Sequence, residues 1–328
     1  MTKLAVVGAT GLVGQNMLEL LEKKNIPFDE LVLFSSERSA GKEVEVKGKT
    51  YIVEELTEEK AAQSFDYILM SAGSGISSAF SPIFEQHGAV VIDNSNAFRM
   101  DPEIDLVVPE VNQPSFKRGI IANPNCSTTQ AVGPLNILEQ AFGIERVAYT
   151  TYQSVSGSGV KGIEDLKRGE RGEKPVNYPY PIYNNVIPHI DVFLEDGYTK
   201  EEQKMVLETR KILNKPDLKV TATCVRVPVE NSHAVAINVT LNKEASVKEI
   251  QELFEKSPYV VLQDDPQNNV YPMPLTAAGK EEIFVGRIRQ DDTLPNSFHL
   301  WVTSDNLLKG AALNTVQILE QVLKIKQK

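Results

Sequence analysis

Residues 4–14 read Leu4-Ala5-Val6-Val7-Gly8-Ala9-Thr10-Gly11-Leu12-Val13-Gly14, and this stretch decides the fold of the first third of the chain. Four apolar residues suit a buried strand, three glycines suit a tight turn, and the run Leu12–Lys24 has helical spacing. Glycines between a strand and a helix let the main chain approach a pyrophosphate, whose charge the helix N-terminus attracts. The spacing Gly-x-x-Gly-x-x-Gly differs from the usual Gly-x-Gly-x-x-Gly, so a plain strand-to-helix turn is the competing reading. Working outward, strand-like runs follow at Leu31–Phe34, Tyr67–Met70, Ala89–Ile92, Leu106–Val108 and Ile120–Ala122. A hairpin around Lys47-Gly48 fits Val44–Val53, and Ile76–His87 is helical. This alternation predicts an α/β, Rossmann-type dinucleotide-binding domain with a largely parallel sheet.

Beyond residue 146 the character changes. Strands at Val147–Val155, Lys219–Val227, Ala234–Leu241, Ile283–Ile288 and Phe298–Thr303 follow with few helices between them, predicting an α+β domain with a mixed sheet. Gly172–Pro188 has neither periodicity and reads as a long loop or lid, and Leu307–Ile325 is helical by spacing. No internal repeat is present. The chain has 328 residues, 41% hydrophobic and 24% charged, which suits two globular domains. A formal charge of -10 argues against nucleic acid as a partner, because phosphate backbones need clustered Lys and Arg. The segment Met1–Gly8 has no basic-then-apolar leader and no apolar run is long enough for a bilayer, which predicts a cytoplasmic protein with no membrane partner. Two cysteines, Cys126 and Cys224, give neither a metal-ligand spacing nor a disulfide framework; no metal is expected.

After the second strand the chain reads Ser35-Ser36-Glu37-Arg38-Ser39. Hydroxyls and an arginine suit a ribose 2′-phosphate, favouring NADP over NAD, although Glu37 facing inward would favour the plain ribose. Cys126 lies in Asn123-Pro124-Asn125-Cys126-Ser127-Thr128-Thr129, between the strand Ile120–Ala122 and a helix-like run, Val132 to Phe142. A helix start favours the thiolate, the form that attacks carbonyl carbon. The alternative, a small buried hydrophobe, fits Cys224 inside Thr221–Val227 better. Four histidines compete as acid/base. His87 suits a helix C-terminal cap, His299 a packed strand position, His189 a loop, and His233 a turn seven residues after Arg226.

Several separated motifs, in order, resemble the aspartate-semialdehyde dehydrogenase family over nearly the whole chain. They are Gly8–Gly14, Asn94-Ser95-Asn96-Ala97-Phe98-Arg99, Pro124-Asn125-Cys126-Ser127-Thr128, Gln153-Ser154-Val155-Ser156-Gly157, and Arg226-Val227-Pro228-Val229 with His233. The resemblance implies reversible NADPH-dependent reduction of 4-aspartyl phosphate to the semialdehyde, with Cys126 forming a thioester. It implies His233 as general acid/base and Gln153 as the group orienting substrate. Arg226 would bind the α-carboxylate through its planar guanidinium, Arg99 and Lys204 the phosphate, and Glu201 the amino group. Glu201 and Lys204 share a face of a helical segment, Thr199–Leu213; an ordinary surface ion pair is their competing reading. The implied NADP-binding set is Gly8, Thr10, Gly11, Leu12, Val13, Arg38, Ser39, Ser156, Gly157 and Gln317. The resemblance also implies a nucleotide-binding domain of residues 1–126 with 307–328, a catalytic and dimerisation domain of 127–306, and a homodimer or homotetramer. One departure is Ser232, where the family commonly has Gly; a Cβ there would shift the turn that carries His233.

Rival readings are other enzymes with a cysteine thioester and a non-catalytic NADP-binding redox sensor. N-acetyl-γ-glutamyl-phosphate reductase usually carries Pro-Gly-Cys-Tyr where this chain has Pro-Asn-Cys-Ser, and glyceraldehyde-3-phosphate dehydrogenase spaces its cysteine and histidine differently. A sensor leaves Gln153, Arg99, Arg226 and His233 unexplained together.

Overall fold

The structure is a computed structural model that describes residues 1–326. The chain divides into two compact units, Met1–Pro124 together with the chain from Ala311 onward, and Asn125–Gly310.

The first unit begins with β1 (Lys3–Val7), α1 (Leu12–Lys23), β2 (Glu30–Ser35), β3 (Glu43–Val46), β4 (Lys49–Glu55) and a single turn α2 (Glu58–Ala61). It continues with β5 (Tyr67–Met70), α3 (Ser74–Gln86), β6 (Val90–Asp93), β7 (Asp105–Leu106) and β8 (Ile120–Ala122). The eight strands lie in the order β3-β4-β2-β1-β5-β6-β8-β7, parallel except for the β3–β4 hairpin. The hairpin turns at Lys47 and Gly48, both at positive φ, as the sequence predicts. β1 pairs with β2 on one side and β5 on the other. The carboxyl end of β1 is thus a topological switch point, the place where open α/β sheets take ligands. Phe34, Phe65 and Phe84 pack together in its core.

The second unit contains α4 (Cys126–Phe142), β9 (Ile144–Gln153), α5 (Val160–Glu170), α6 (Lys200–Ile212), β10 (Lys219–Arg226) and β11 (His233–Leu241). After these come α7 (Val247–Glu255), β12 (Val260–Leu262), the short α8 (Pro274–Ala277), β13 (Ile283–Gln290) and β14 (Ser297–Ser304). Its sheet, ordered β10-β9-β11-β14-β13-β12, is mixed: β9–β10 and β12–β13 are parallel and the other pairs antiparallel. Leu135 and Leu138 of α4, Met205 of α6 and Phe254 of α7 bury the inward-facing residues Val147, Tyr149, Val235, Ile237 and Leu300. A π-helical turn, Leu308–Ala312, precedes α9 (Leu313–Lys326), whose buried residues belong to the first unit's core.

Cys126 stands at a helix start as expected, and the helix begins at the cysteine itself, six residues before the apolar run Val132 to Phe142. One expectation needs correcting. His299 is not packed away: its side chain is 36% exposed and lies 3.7 Å from Asp291. The stretch 172–188 is irregular as expected, yet it is pinned. Asp165 accepts hydrogen bonds from the amides of Val176, Asn177 and Tyr178, and Ile182 and Ile187 are buried with Val155 and Leu166. Among the described residues no helix is long and apolar enough to cross a membrane, and no cluster of His, Cys, Asp or Glu could hold a metal ion.

Candidate active site

In the first unit the three glycines do different work. A Cβ on Gly8, at φ 79°, would sit 2.1 Å from the carbonyl oxygen of Ser71, and one on Gly14 would sit 2.2 Å from that of Gly8. Those two let main chain close on main chain. Gly11 is exposed and caps α1 without a side-chain hydrogen bond, leaving the helix start open to an anion. Thr10 Oγ lies 2.9 Å from Ser35 Oγ and 3.3 Å from Ser39 Oγ, with Arg38 exposed on the adjoining turn. Backbone donors, clustered hydroxyls and a guanidinium are the chemistry a nucleotide with a 2′-phosphate needs, so the residues fit NADP. Glu37 is exposed, as a solvated loop charge would be. Leu12 and Val13 open α1 half-buried, and Gln317 is half-buried on α9. Arg99, 8% exposed, is no surface charge: its Nε donates to the Asn123 carbonyl at 2.8 Å and its Nη2 to that of Asn94 at 2.9 Å.

The second unit collects the groups expected for covalent chemistry. Cys126 is the first residue of α4 and half-exposed. Its helix is capped by Asn125, whose Oδ1 accepts the amides of Ser127 and Thr128. That amide cannot flip, because its Nδ2 donates to Glu201 Oε1 at 2.8 Å. Glu208, 1% exposed, accepts the Asn125 main-chain amide at 2.6 Å. Two carboxylates of α6 thereby hold the residue before the nucleophile. On the other side Gly310 packs so close that a Cβ there would lie 2.6 Å from Cys126 Cβ. Cys224 is fully buried, and desolvation first, then the nearby Glu201 carboxylate, pushes its thiol pKa well up; it is a structural residue.

β9, β10 and β11 end or begin side by side and deliver Gln153, Arg226 and His233 to one place. Gln153 Nε2 donates to Glu201 Oε1 at 3.2 Å. Arg226 Nη1 donates to the Ser154 carbonyl at 2.6 Å, while its buried Nε has no partner among the described residues. His233 is fully buried. Its Nδ1 takes the Ser154 amide at 3.0 Å, and its buried Nε2 has no partner among the described residues. Burial first, and the Arg226 charge second, hold the imidazole well below its ordinary pKa, outweighing the Ser232 main chain. Buried polar atoms left without a partner are uncommon in folded proteins, and here Arg226 and His233 each carry one.

Gly157 explains how the spot stays open, since a Cβ there would meet Arg226 Nη1 at 3.0 Å and His233 Nε2 at 3.2 Å. Ser156, by contrast, is 2% exposed and its hydroxyl is engaged by Ser154 and Asn306, so only its main chain is available to a ligand. Glu201 and Lys204 are more than a surface pair. Glu201 is 5% exposed, and although burial opposes its charge, Lys204, the Asn125 hydrogen bond and Arg226 keep its pKa below the ordinary carboxylate value. Lys204 Nζ bonds both Asp191, at 2.7 Å, and Glu201, at 3.1 Å; these carboxylates outweigh burial and raise its pKa. Sequence reasoning missed Asn125, Ser154, Glu208, Asn306 and Gly310. Only Asn125, an N-cap residue type before a helix, carried a local signal.

Ser232 adopts φ 72°, the left-handed conformation glycine would take, and its amide donates to Asn306 Oδ1 at 2.9 Å. The Cβ therefore strains the turn without moving it out of this conformation. Ser232→Gly should stabilise the chain by about 1 kcal/mol, the relief of that strain less the added freedom of the unfolded chain. A lower or unchanged midpoint in urea unfolding would show that the hydroxyl matters more than the backbone.

A glycine-turned nucleotide unit and a thiol-bearing mixed-sheet unit define a class of two-domain, cysteine-dependent oxidoreductases. Residues 3–118 match the family model described as semialdehyde dehydrogenase, NAD binding domain, and residues 135–309 match semialdehyde dehydrogenase, dimerisation domain. Aspartate-semialdehyde dehydrogenase of Aquifex aeolicus is 50% identical over 98% of this chain and 98% of its own. The crystal structure of aspartate semialdehyde dehydrogenase II from Vibrio cholerae, complexed with ASA, superimposes with a TM-score of 0.93 at 42% identity over 99% of each chain. A Candida albicans aspartate semialdehyde dehydrogenase solved with NADP gives a TM-score of 0.75 at 25% identity over 98% of each chain. The chain belongs to the aspartate-semialdehyde dehydrogenase family.

Proposed function

We propose that this chain catalyses the reversible, NADPH-dependent reduction of 4-aspartyl phosphate to L-aspartate 4-semialdehyde and phosphate, in the cytoplasmic synthesis of lysine, methionine, threonine, diaminopimelate and isoleucine. The observation that carries the reading is the pair of buried polar atoms without a partner among the described residues, Arg226 Nε and His233 Nε2, in the same unit as a thiol at a capped helix start.

Cys126 attacks the acyl carbon as thiolate, the carbon–oxygen bond to phosphate breaks, and a thioester forms. The glycine turn of residues 8–14, Arg38, Ser39 and Gln317 would hold NADPH, whose chemistry there would be to supply the hydride that reduces the thioester. Carbon–sulfur cleavage then releases the aldehyde and restores the thiolate. Gln153 orients the acyl group from the end of β9, and His233 serves the acyl oxygen as acid/base. Gly157 and the Ser156 main chain leave room for the nicotinamide. Arg226 receives the α-carboxylate on its unpartnered edge and Glu201 the amino group. Arg99 and Lys204 bind phosphate, Lys204 by exchanging its bond to Asp191.

Arg226→Lys keeps the charge but loses the two-pronged geometry, so KM for the semialdehyde should rise about tenfold with a smaller change in kcat. A KM equal to that of the unaltered chain would remove Arg226 from carboxylate binding. The function itself is tested by following NADP reduction by L-aspartate 4-semialdehyde with phosphate present and then omitted. Phosphate-dependent turnover is expected, and turnover confined to another aldehyde would overturn the proposal.

The second unit also presents a half-exposed sheet face. Thr150, Ala236 and Trp301 lie abreast on it, as do Ala148, Asn238 and His299. With the matched dimerisation domain, this face supports a homodimer, alone or as half of a homotetramer.

A further inference from the structure

We propose that Tyr178 is a positioning residue for substrate recognition: the irregular stretch 172–188 is a fixed wall, not a lid, and it sets the Tyr178 ring against the guanidinium of Arg226. The proposal rests on the reading of Arg226 given above, as the group that receives the α-carboxylate, and adds what holds that group in place.

The stretch grips Arg226 twice. Its main chain pairs with that of Arg226 at the end of β10, where the Arg226 amide donates to the Ile187 carbonyl at 2.9 Å and the Ile187 amide returns the bond at 3.0 Å. Earlier in the stretch, Tyr178 meets the side chain, with Arg226 Cζ over its ring and 5.9 Å from the ring centroid. An aromatic face attracts a guanidinium at that range. The contact leaves Nη1 on the Ser154 carbonyl and Nε without a partner among the described residues. A carboxylate in the ring's place would neutralise the charge that the substrate needs, whereas the ring holds the cation and keeps its charge available. An unrestrained arginine loses much rotamer freedom on binding a ligand, and a guanidinium already held in place avoids that loss.

The ring is itself held from three sides. The Tyr178 amide donates to Asp165 Oδ2 at 2.8 Å, and its hydroxyl donates to Ser158 Oγ at 2.9 Å. Asp165, 2% exposed on α5, also accepts the amides of Val176 and Asn177, so three successive residues hang from one carboxylate. The body of the ring packs against the buried cluster of Val155, Leu166, Ile182 and Ile187. Gly162 makes the approach possible, since a Cβ there would stand 2.7 Å from the Tyr178 hydroxyl oxygen. A segment that opened and closed would have to break these bonds at every turnover.

The test follows NADP reduction by L-aspartate 4-semialdehyde in the full chain. Tyr178→Leu, which keeps an apolar body but no ring, should raise KM for the semialdehyde about fivefold and leave kcat and KM for phosphate within about twofold. Tyr178→Phe keeps the ring and should recover most of that affinity. Equal loss in the two variants would overturn the proposal, as would a KM in Tyr178→Leu equal to that of the unaltered chain. In an Arg226→Gln background, Tyr178→Leu should change kcat/KM by less than about twofold, and an undiminished effect there would make Tyr178 a packing residue and sink the idea. A second arm needs no turnover. In the chain labelled with 15N-arginine, the Arg226 Nε–H signal, assigned by its loss in Arg226→Lys, should persist at neutral pH, move in Tyr178→Leu and stay near its place in Tyr178→Phe. A signal unmoved by Tyr178→Leu, or lost to solvent exchange in the unaltered chain, would contradict the contact. If the unaltered chain shows no phosphate-dependent turnover, the functional reading fails, and the Arg226 signal still decides whether the ring holds the guanidinium.

Discussion

Cys126→Ser is expected to lower phosphate-dependent turnover by at least about a thousandfold while leaving NADP affinity within about twofold of the unaltered chain. Serine keeps the size and the helix-start position, so the fold and the Asn125 cap have no reason to change. The alcohol, however, is almost wholly protonated near neutral pH, and a helix terminus offers far too little stabilisation to ionise it. An oxygen ester would also be a poorer acceptor of hydride than a thioester. The readouts are the NADP reduction assay with phosphate and a fluorescence titration with NADPH. Turnover near that of the unaltered chain would exclude the covalent route. Loss of NADP affinity along with activity would point to misfolding.

Gly310→Ala is expected to cost about a hundredfold in kcat, although the residue has no side chain to contribute to the chemistry. The added methyl would lie 2.6 Å from Cys126 Cβ and 3.0 Å from its Cα, and both distances are shorter than such atoms tolerate. The thiol cannot yield freely, because Asn125 before it is clamped by Glu201 through its side chain and by Glu208 through its amide. Something must move by several tenths of an ångström, and attack on an acyl carbon is sensitive to displacements of that size. Unchanged kcat with a well-folded chain would mean that the π-helical turn, not the sulfur, absorbs the methyl.

The first unit was readable because each level of its sequence agrees. Short apolar runs, amphipathic helices and glycines at strand ends all imply parallel strands with crossovers, and Lys47-Gly48 announces its hairpin. The start of α4 was less visible, because residues 126–131, Cys-Ser-Thr-Thr-Gln-Ala, are mostly polar and show no apolar stripe. Ser127 through Ala131 are nonetheless fully buried, through contacts that only tertiary structure supplies. The same limit applies to the site. Cys126, Gln153, Arg226 and His233 were recognisable from motifs in order, whereas Glu208 lies 83 positions from Asn125, whose amide it accepts. Ser154 and Asn306 stand 152 apart. No spacing rule reaches that far. Lys204 shows the converse: its three-residue offset from Glu201 read as a surface pair, and only the fold reveals the buried carboxylate and Asp191 beside it.

The contrast between the two sulfurs makes the folded chain its own gauge of concentration. Cys224 is walled in by the sheet and held as an unreactive thiol, so a colourless disulfide reagent that releases a dye on exchange should report one rapid equivalent per chain. The second equivalent should appear only as the chain unfolds. The stoichiometry of the rapid phase therefore counts competent molecules in a preparation, and turnover divided by that count is independent of how much of the sample is misfolded or oxidised.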